Sequence, residues 1–271
     1  KQFDIRKETA TLSGRNRGQL KYQGQVIFLP YLPNQELAAE FDYIRDKTEL
    51  VWDFSLDAPE NLKKQVFRIL CYALENIKDS KDRRVRYLLP LKWLYEFCIE
   101  EGIEDIERLE LAQIQKLEAI VAGKVVNVKN SMQIVDNSRK ILFMSGKEIH
   151  WYANVWYLKR FNFAPERINP SNPVYRLTFY EVTHLKNREL LQEYMRYQVG
   201  ISGLTIGNIR SQLSYIKKFL IYFNELESIC QVTDKQIGEY FKSVQDEGNK
   251  AETVNRQIFD IYKFFLYLHV K

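Results

Sequence analysis

The fold is decided by Leu204–Leu268, which reads LTIGNIRSQLSYIKKFLIYF (204–223), a polar break, VTDKQIGEYFKSV (232–244) and NKAETVNRQIFDIYKFFLYL (249–268). In the first segment Ile209, Leu213, Ile216, Phe219, Leu220 and Phe223 recur at spacings of three and four, the period of one buried helix face. The second opens on Thr233 with Gln236 three residues on, the pattern of a capping box, and carries Ile237, Tyr240, Phe241 and Val244 along one side. The third repeats Val254, Ile258, Ile261, Phe265 and Leu268, with Asn249 or Thr253 as its expected cap.

Working outward, 271 residues suffice for two domains. Eleven glycines and seven prolines in that length favour helices over many short strands. No stretch reads as a signal peptide or a membrane span. Cys71, Cys98 and Cys230 are dispersed on predicted apolar faces, which suggests core packing in a reducing cytosol. His150, His184 and His269 show no metal spacing, and no glycine-rich phosphate or dinucleotide loop is present, so neither a metal nor a cofactor is expected. The net charge of +5 is segregated. Residues 1–21 hold six Lys/Arg against two Asp/Glu, whereas residues 101–120 hold two against six. Such segregation suits either a phosphate-seeking face or ordinary solvated surface.

In chain order, Ser13–Gly18 reads as a basic arm or a plain chain end, and residues 1–60 as an irregular N-terminal extension. A first helical domain is expected over 61–162. Its helices cover about 62–77, 82–100 (kinked or restarted at Pro90), 111–121 and 135–161. Pro165, Pro170 and Pro173 mark 163–182 as an extended linker, and a second helical domain fills 183–271. The two domains share signals: Leu62-Lys63 answers Leu185-Lys186. Trp93 and Phe97 answer Phe219 and Phe223; Leu109, Ile114 and Leu117 answer Val232, Ile237 and Tyr240. Tyr157-Leu158 is aligned with Tyr267-Leu268, which makes the offset shorter in the last helix.

The aromatic run Phe219 to Phe223, Val232-Thr233, the text Thr253-Val254-Asn255-Arg256 and the run Phe264-Phe265-Leu266-Tyr267-Leu268 together resemble the core-binding domain of tyrosine recombinases, the phage integrase family. The resemblance implies a mainly all-α chain of two SAM-like four-helix DNA-binding bundles in tandem. It implies a role in DNA recombination, integration or transposition, closer to a transposon-borne transposase than to a minimal integrase. Its implied partner is double-stranded DNA, a recombination site or transposon end, gripped by a full-length homo-tetramer in the bacterial, nucleoid-associated cytoplasm. In that family a downstream domain cuts DNA with a tyrosine nucleophile and an H-x-x-R signature, and its place would follow Lys271. None of the three histidines here begins that signature, so no catalytic residue is nominated.

What remains is grip. Helix N-termini and basic side chains converge on phosphates, Asn and Gln pair with adenine edges, and Arg pairs with guanine. The candidates in the second domain are Thr205, Asn208, Arg210, Ser211, Thr253, Asn255, Arg256 and Gln257. In the first domain they are Lys81, Arg83, Arg84, Arg86, Asn137, Ser138, Arg139 and Lys140. Arg139 and Arg256 are expected near the starts of their final helices and off the apolar stripes. The competing class is a helical protein-interaction module that binds no DNA. From sequence alone, replacing either arginine should change folding stability by no more than about 0.5 kcal/mol in a denaturant melt.

Overall fold

The computed structural model describes residues 26–270, so the expected basic arm lies outside the described residues. The chain is mainly α and divides into two compact units, one ending at Ser145 and the other beginning at Gly146.

The first unit opens with β1 (Val26–Phe28) paired antiparallel to β2 (Val51–Asp53), with Ile27 opposite Trp52. Ile27, Leu29, Trp52 and Phe54 are buried in one core with the helices that follow. Residues 26–54 are therefore part of the first bundle and not an extension to it, because their apolar side chains supply its core. Next come α1 (Glu60–Asn76) and a short turn at Ser80–Asp82 capped by Asp79. The chain widens into a π-helical stretch over Arg83–Leu88 and returns to α geometry in α2 (Leu89–Glu100). Pro90 has no N–H to give and would crowd the carbonyl four residues back. The wider turns just before it relieve both constraints, and α2 restarts with Pro90 in its first turn. Gly102, at φ +64°, ends α2 by letting Ile103 N–H reach back 2.8 Å to the Cys98 carbonyl. A 3-10 turn (Ile106–Arg108), α3 (Leu111–Ala122) and α4 (Val128–Ser145) complete the unit.

The second unit repeats this order. Strand β3 (Val155–Tyr157) pairs antiparallel with β4 (Arg176–Thr178), with Trp156 opposite Leu177. Then follow α5 (Leu185–Gly200), α6 (Ile206–Tyr222), a 3-10 turn (Ile229–Gln231), α7 (Asp234–Asp246) and α8 (Ala251–Val270). Two expectations change here. The helix expected over 135–161 ends at Ser145, since Val155–Tyr157 is a strand. The expected linker at 163–182 is the long connection and second strand of a hairpin. Its prolines sit between the strands, and Leu177, Phe179 and Val182 are buried.

The internal repeat is stronger than its sequence trace. Each short third helix begins with a capping box, Glu110 with Gln113 in one unit and Thr233 with Gln236 in the other. In each unit an amide side chain of the first long helix accepts the first N–H of the 3-10 turn. Gln65 Oε1 takes Ile106 N at 2.9 Å, and Asn187 Oδ1 takes Ile229 N at 2.8 Å. The final helices keep the offset of 123 residues: Val254, Gln257, Ile261 and Phe264 fall on Ser131, Ile134, Ser138 and Ile141, all buried. The pairing of Tyr157-Leu158 with Tyr267-Leu268 is thus a misalignment between a strand and a helix. Within α8, Ile258 is exposed, so the inward face is turned from the expected stripe. Neither expected cap serves α8: Asn249 Nδ2 closes α7 by donating to the Val244 carbonyl at 2.8 Å, and Thr253 lies inside the helix. Cys230 is exposed, contrary to its expected place on an apolar face, while Cys98 is buried.

Because Asn187 is fully buried, Asn187→Ala strands the Ile229 N–H without water. We expect it to lower unfolding free energy by about 1–3 kcal/mol in urea titrations, with Gln65→Ala giving a loss of the same sign.

Candidate nucleic-acid interface

The second unit places two helix starts side by side. Thr205 caps α6 by accepting the Asn208 N–H at 3.4 Å. The chain then leaves along α6, returns through α7 and turns at Gly248, whose φ of +74° suits the reversal. As a result α8 runs beside α6 in the same sense. Two polar rungs show it. Arg256 Nη2 donates to Asn208 Oδ1 at 2.8 Å, and one turn further on Gln212 Nε2 donates to Asp260 Oδ1 at 3.0 Å. Below the rungs the helices meet through Phe219 and Phe265, whose ring centroids are 5.7 Å apart. Ile209, Leu213 and Ile216 of α6 and Val254, Ile261 and Phe264 of α8 are buried, each contributing about 1.5–3 kcal/mol.

Two helix N-termini therefore face the same way, and each carries unpaired backbone N–H groups and a partial positive charge. The first turn of α6 holds no acid. That of α8 holds Glu252, whose charge offsets part of the field. Thr205 and Arg256 are exposed there, with Asn208 and Thr253 half-buried on the flanks where the helices face each other. Sequence reasoning missed Lys250, exposed just before α8; its position ahead of the T-x-N-R text was the available signal.

The other candidates scatter. Arg210 lies two residues, about 200°, around α6 from Asn208, on the opposite flank. Ser211 Oγ donates to the Gly207 carbonyl at 3.1 Å. Asn255 is exposed on the outer side of α8, beside Phe259 and Tyr262. Gln257 is buried and faces the core, so it is removed from the interface.

In the first unit the basic run is largely taken up by acids. Arg83 is buried against Glu40 and the Ile77 carbonyl. Arg84 pairs with Glu49 at 2.7 Å, and Arg86 with Asp82 at 3.3 Å, leaving Lys81 exposed. Asn137, Ser138, Arg139 and Lys140 lie in the middle of α4, not at its start, with Lys140 exposed and Asn137 half-buried. Ser138 and Arg139 are buried. Arg139 donates through Nη2 to the Leu109 carbonyl at 2.6 Å and through Nε to that of Ile106 at 3.4 Å. It is a structural residue, which overturns the expectation that its loss is harmless. The position matching Arg256 at the 123-residue offset is Gln133, exposed and uncharged.

Residues 189–270, within this second bundle, match the family described as the phage integrase N-terminal SAM-like domain. The chain is similar to transposase B of transposon Tn554 from Staphylococcus aureus strains Mu50 and N315. Each is 21% identical over 136 residues, which is 49% of this chain and 21% of the transposase. It is likewise similar to transposase B of transposon PsiTn554 from Staphylococcus aureus, 21% identical over 147 residues, 54% of this chain and 22% of that protein. The chain thus spans about a fifth of the length of these curated relatives. No solved structure matches it. The second bundle is thus similar to the integrase SAM-like domain, and the matches support a protein of the tyrosine recombinase, or phage integrase, type. Among the described residues no helix is long and apolar enough to cross a membrane.

Two tests follow from the buried charges. Arg139→Ala should cost about 1–3 kcal/mol of stability, while Arg256→Ala stays within about 0.5 kcal/mol. Burial, reinforced by Asp105, pushes the Glu107 carboxyl up to about 8, against the pull of Arg68 and Arg139. A carboxyl raised on folding stabilises the native state while protonated, and that contribution is lost as pH rises through the folded value. Stability measured by denaturant should therefore fall from about pH 4.5 to about 8, and Glu107→Gln should flatten the fall.

Proposed function

We propose that this chain is the DNA-gripping portion of a site-specific tyrosine recombinase, an integrase or transposase, and that duplex DNA seats on the paired starts of α6 and α8. The observation that carries this reading is the Arg256–Asn208 bond. It holds a guanidinium and a carboxamide together at the end where two helix dipoles point outward. Similarity to the integrase SAM-like domain and to the Tn554 transposases supports the same reading. On this account the second unit is the core-binding domain. The first is a copy whose basic run is largely paired with acids. Strand cleavage and rejoining through phosphotyrosine belong to a catalytic domain elsewhere in the full-length protein, which works as a homo-tetramer on a recombination site or transposon end in the bacterial cytoplasm. Arg256 and Asn208 supply position and base contact, Thr205 and Thr253 backbone and hydroxyl donors, and Lys250 charge.

One observation favours a second reading, a helical protein-interaction module. The outer side of α8 exposes Phe259, Tyr262, Leu266 and Val270. Titration against duplex DNA at several salt concentrations separates the two. Phosphate neutralisation releases counterions, so log affinity should fall linearly with log salt. Arg256→Ala should lower that slope by about one if it meets a phosphate. If it reads a guanine, the loss should be about 1–3 kcal/mol at the cognate site alone. Affinity indifferent to salt, or none at low salt, favours the interaction module.

A further inference from the structure

The rung beneath Arg256 is chemically unbalanced. Gln212 and Asp260 are both buried, at 4% exposure each. Their single bond uses Gln212 Nε2 and Asp260 Oδ1. It leaves Asp260 Oδ2, Gln212 Oε1 and the neighbouring Gln257 Oε1 buried without a hydrogen-bond partner. All three are acceptors when Asp260 is ionised, so none can satisfy another. Unpaired buried acceptors are costly, and a carboxylate among them more so. The cations nearest on α8 are Arg256, one turn before Asp260, and Lys263, almost one turn after it. From α6 the facing group is the neutral Gln212, and from α5 it is Tyr194, whose phenol burial pushes up to about 12.

We propose that Asp260, held in place by Gln212, is a positioning residue for Arg256 and the internal counter-charge that limits how strongly Arg256 holds DNA. The Arg256 guanidinium is bonded to one acceptor, Asn208, and is attracted by the charge of a second, Asp260, four residues on along α8. A DNA phosphate or guanine competes for the same cation. When DNA wins, the Asp260 carboxylate loses its counter-charge and gains a negative neighbour, so it takes up a proton from solvent. The new O–H adds a donor to a cluster whose unpartnered atoms, Gln257 Oε1 and Gln212 Oε1 among them, are all acceptors, which lessens the imbalance. Burial already pushes this carboxyl up, against the Gln212 hydrogen bond and the charges of Arg256 and Lys263. Proton uptake on binding means affinity rises as pH falls, by the same linkage that ties stability to pH.

The inference rests on the DNA-grip reading, and its test uses the whole chain with a duplex oligonucleotide by fluorescence anisotropy, at constant salt from about pH 5 to 8. Asp260→Asn keeps the shape and adds an N–H donor for the orphan acceptors. It should bind about three- to tenfold tighter than wild type at pH 8. The two affinities should draw together as pH falls and wild-type Asp260 takes up its proton. A structural defect shifts the whole profile and does not make the curves converge. Independently of whether that variant folds, the affinity ratio of wild type to Arg256→Ala should grow as pH falls. Equal affinity of wild type and Asp260→Asn at every pH, weaker binding by Asp260→Asn, or a ratio to Arg256→Ala that is above one but constant with pH overturns the role of Asp260 alone. No binding by wild type, or none of it sensitive to Arg256→Ala at any pH, overturns the DNA-grip reading and this inference with it.

Discussion

Two helices can lie side by side in the same sense only if the chain between them is carried back to the starting end. In the second unit α7 does that work, and its placement depends on one buried amide. Asn187 fixes the Ile229 N–H, so the chain leaves α6 at a defined point. The Thr233–Gln236 box then starts α7, and Gly248 turns it into α8. Tyr240 wedges against Phe219, 5.1 Å between ring centroids, and holds the return helix to the pair. The functional consequence is geometric. An up-and-down bundle alternates helix dipoles, whereas this path brings two positive ends together, and the proposed DNA seat depends on that pairing.

The same path occurs in the first unit, with Gln65 in place of Asn187 and Glu110–Gln113 in place of Thr233–Gln236. The repeat includes the hairpins as well as the helices, so the unit that recurs is longer than a four-helix bundle. What does not recur is the surface chemistry. Arg83, Arg84 and Arg86 meet Glu40, Glu49 and Asp82, and Gln133 stands where the second unit has Arg256. Carboxylates already in place compete with phosphate for each of those arginines. The scaffold recurs, while the arginines of the first unit are engaged in its own ion pairs.

Which parts were legible in the sequence follows from the range of the forces involved. Helical stripes and the Thr233 box are local, and they read correctly for α6 and α7 because each signal spans only a turn or two. The hairpins were missed because each strand is three residues long, and nearly twenty residues with three prolines separate β3 from β4. The period-2 signal has no room to appear, and those prolines read as a linker. Arg139 was misread because an arginine on a helix looks exposed until tertiary structure brings carbonyls to it. Those of Ile106 and Leu109 lie some thirty residues away in sequence. Of the candidate site, the T-x-N-R text and Asn208 were legible as separate clusters. Their meeting was not, because it depends on the return path through α7.

On the proposed reading, DNA seats on the paired starts of α6 and α8. Titrating duplex DNA into the isotope-labelled chain and following backbone amide chemical shifts tests it directly. The account predicts that the largest, salt-sensitive shifts cluster at residues 205–208 and 250–256. Shifts confined to the outer side of α8 around Phe259, Tyr262 and Leu266, or to the first unit, would contradict it.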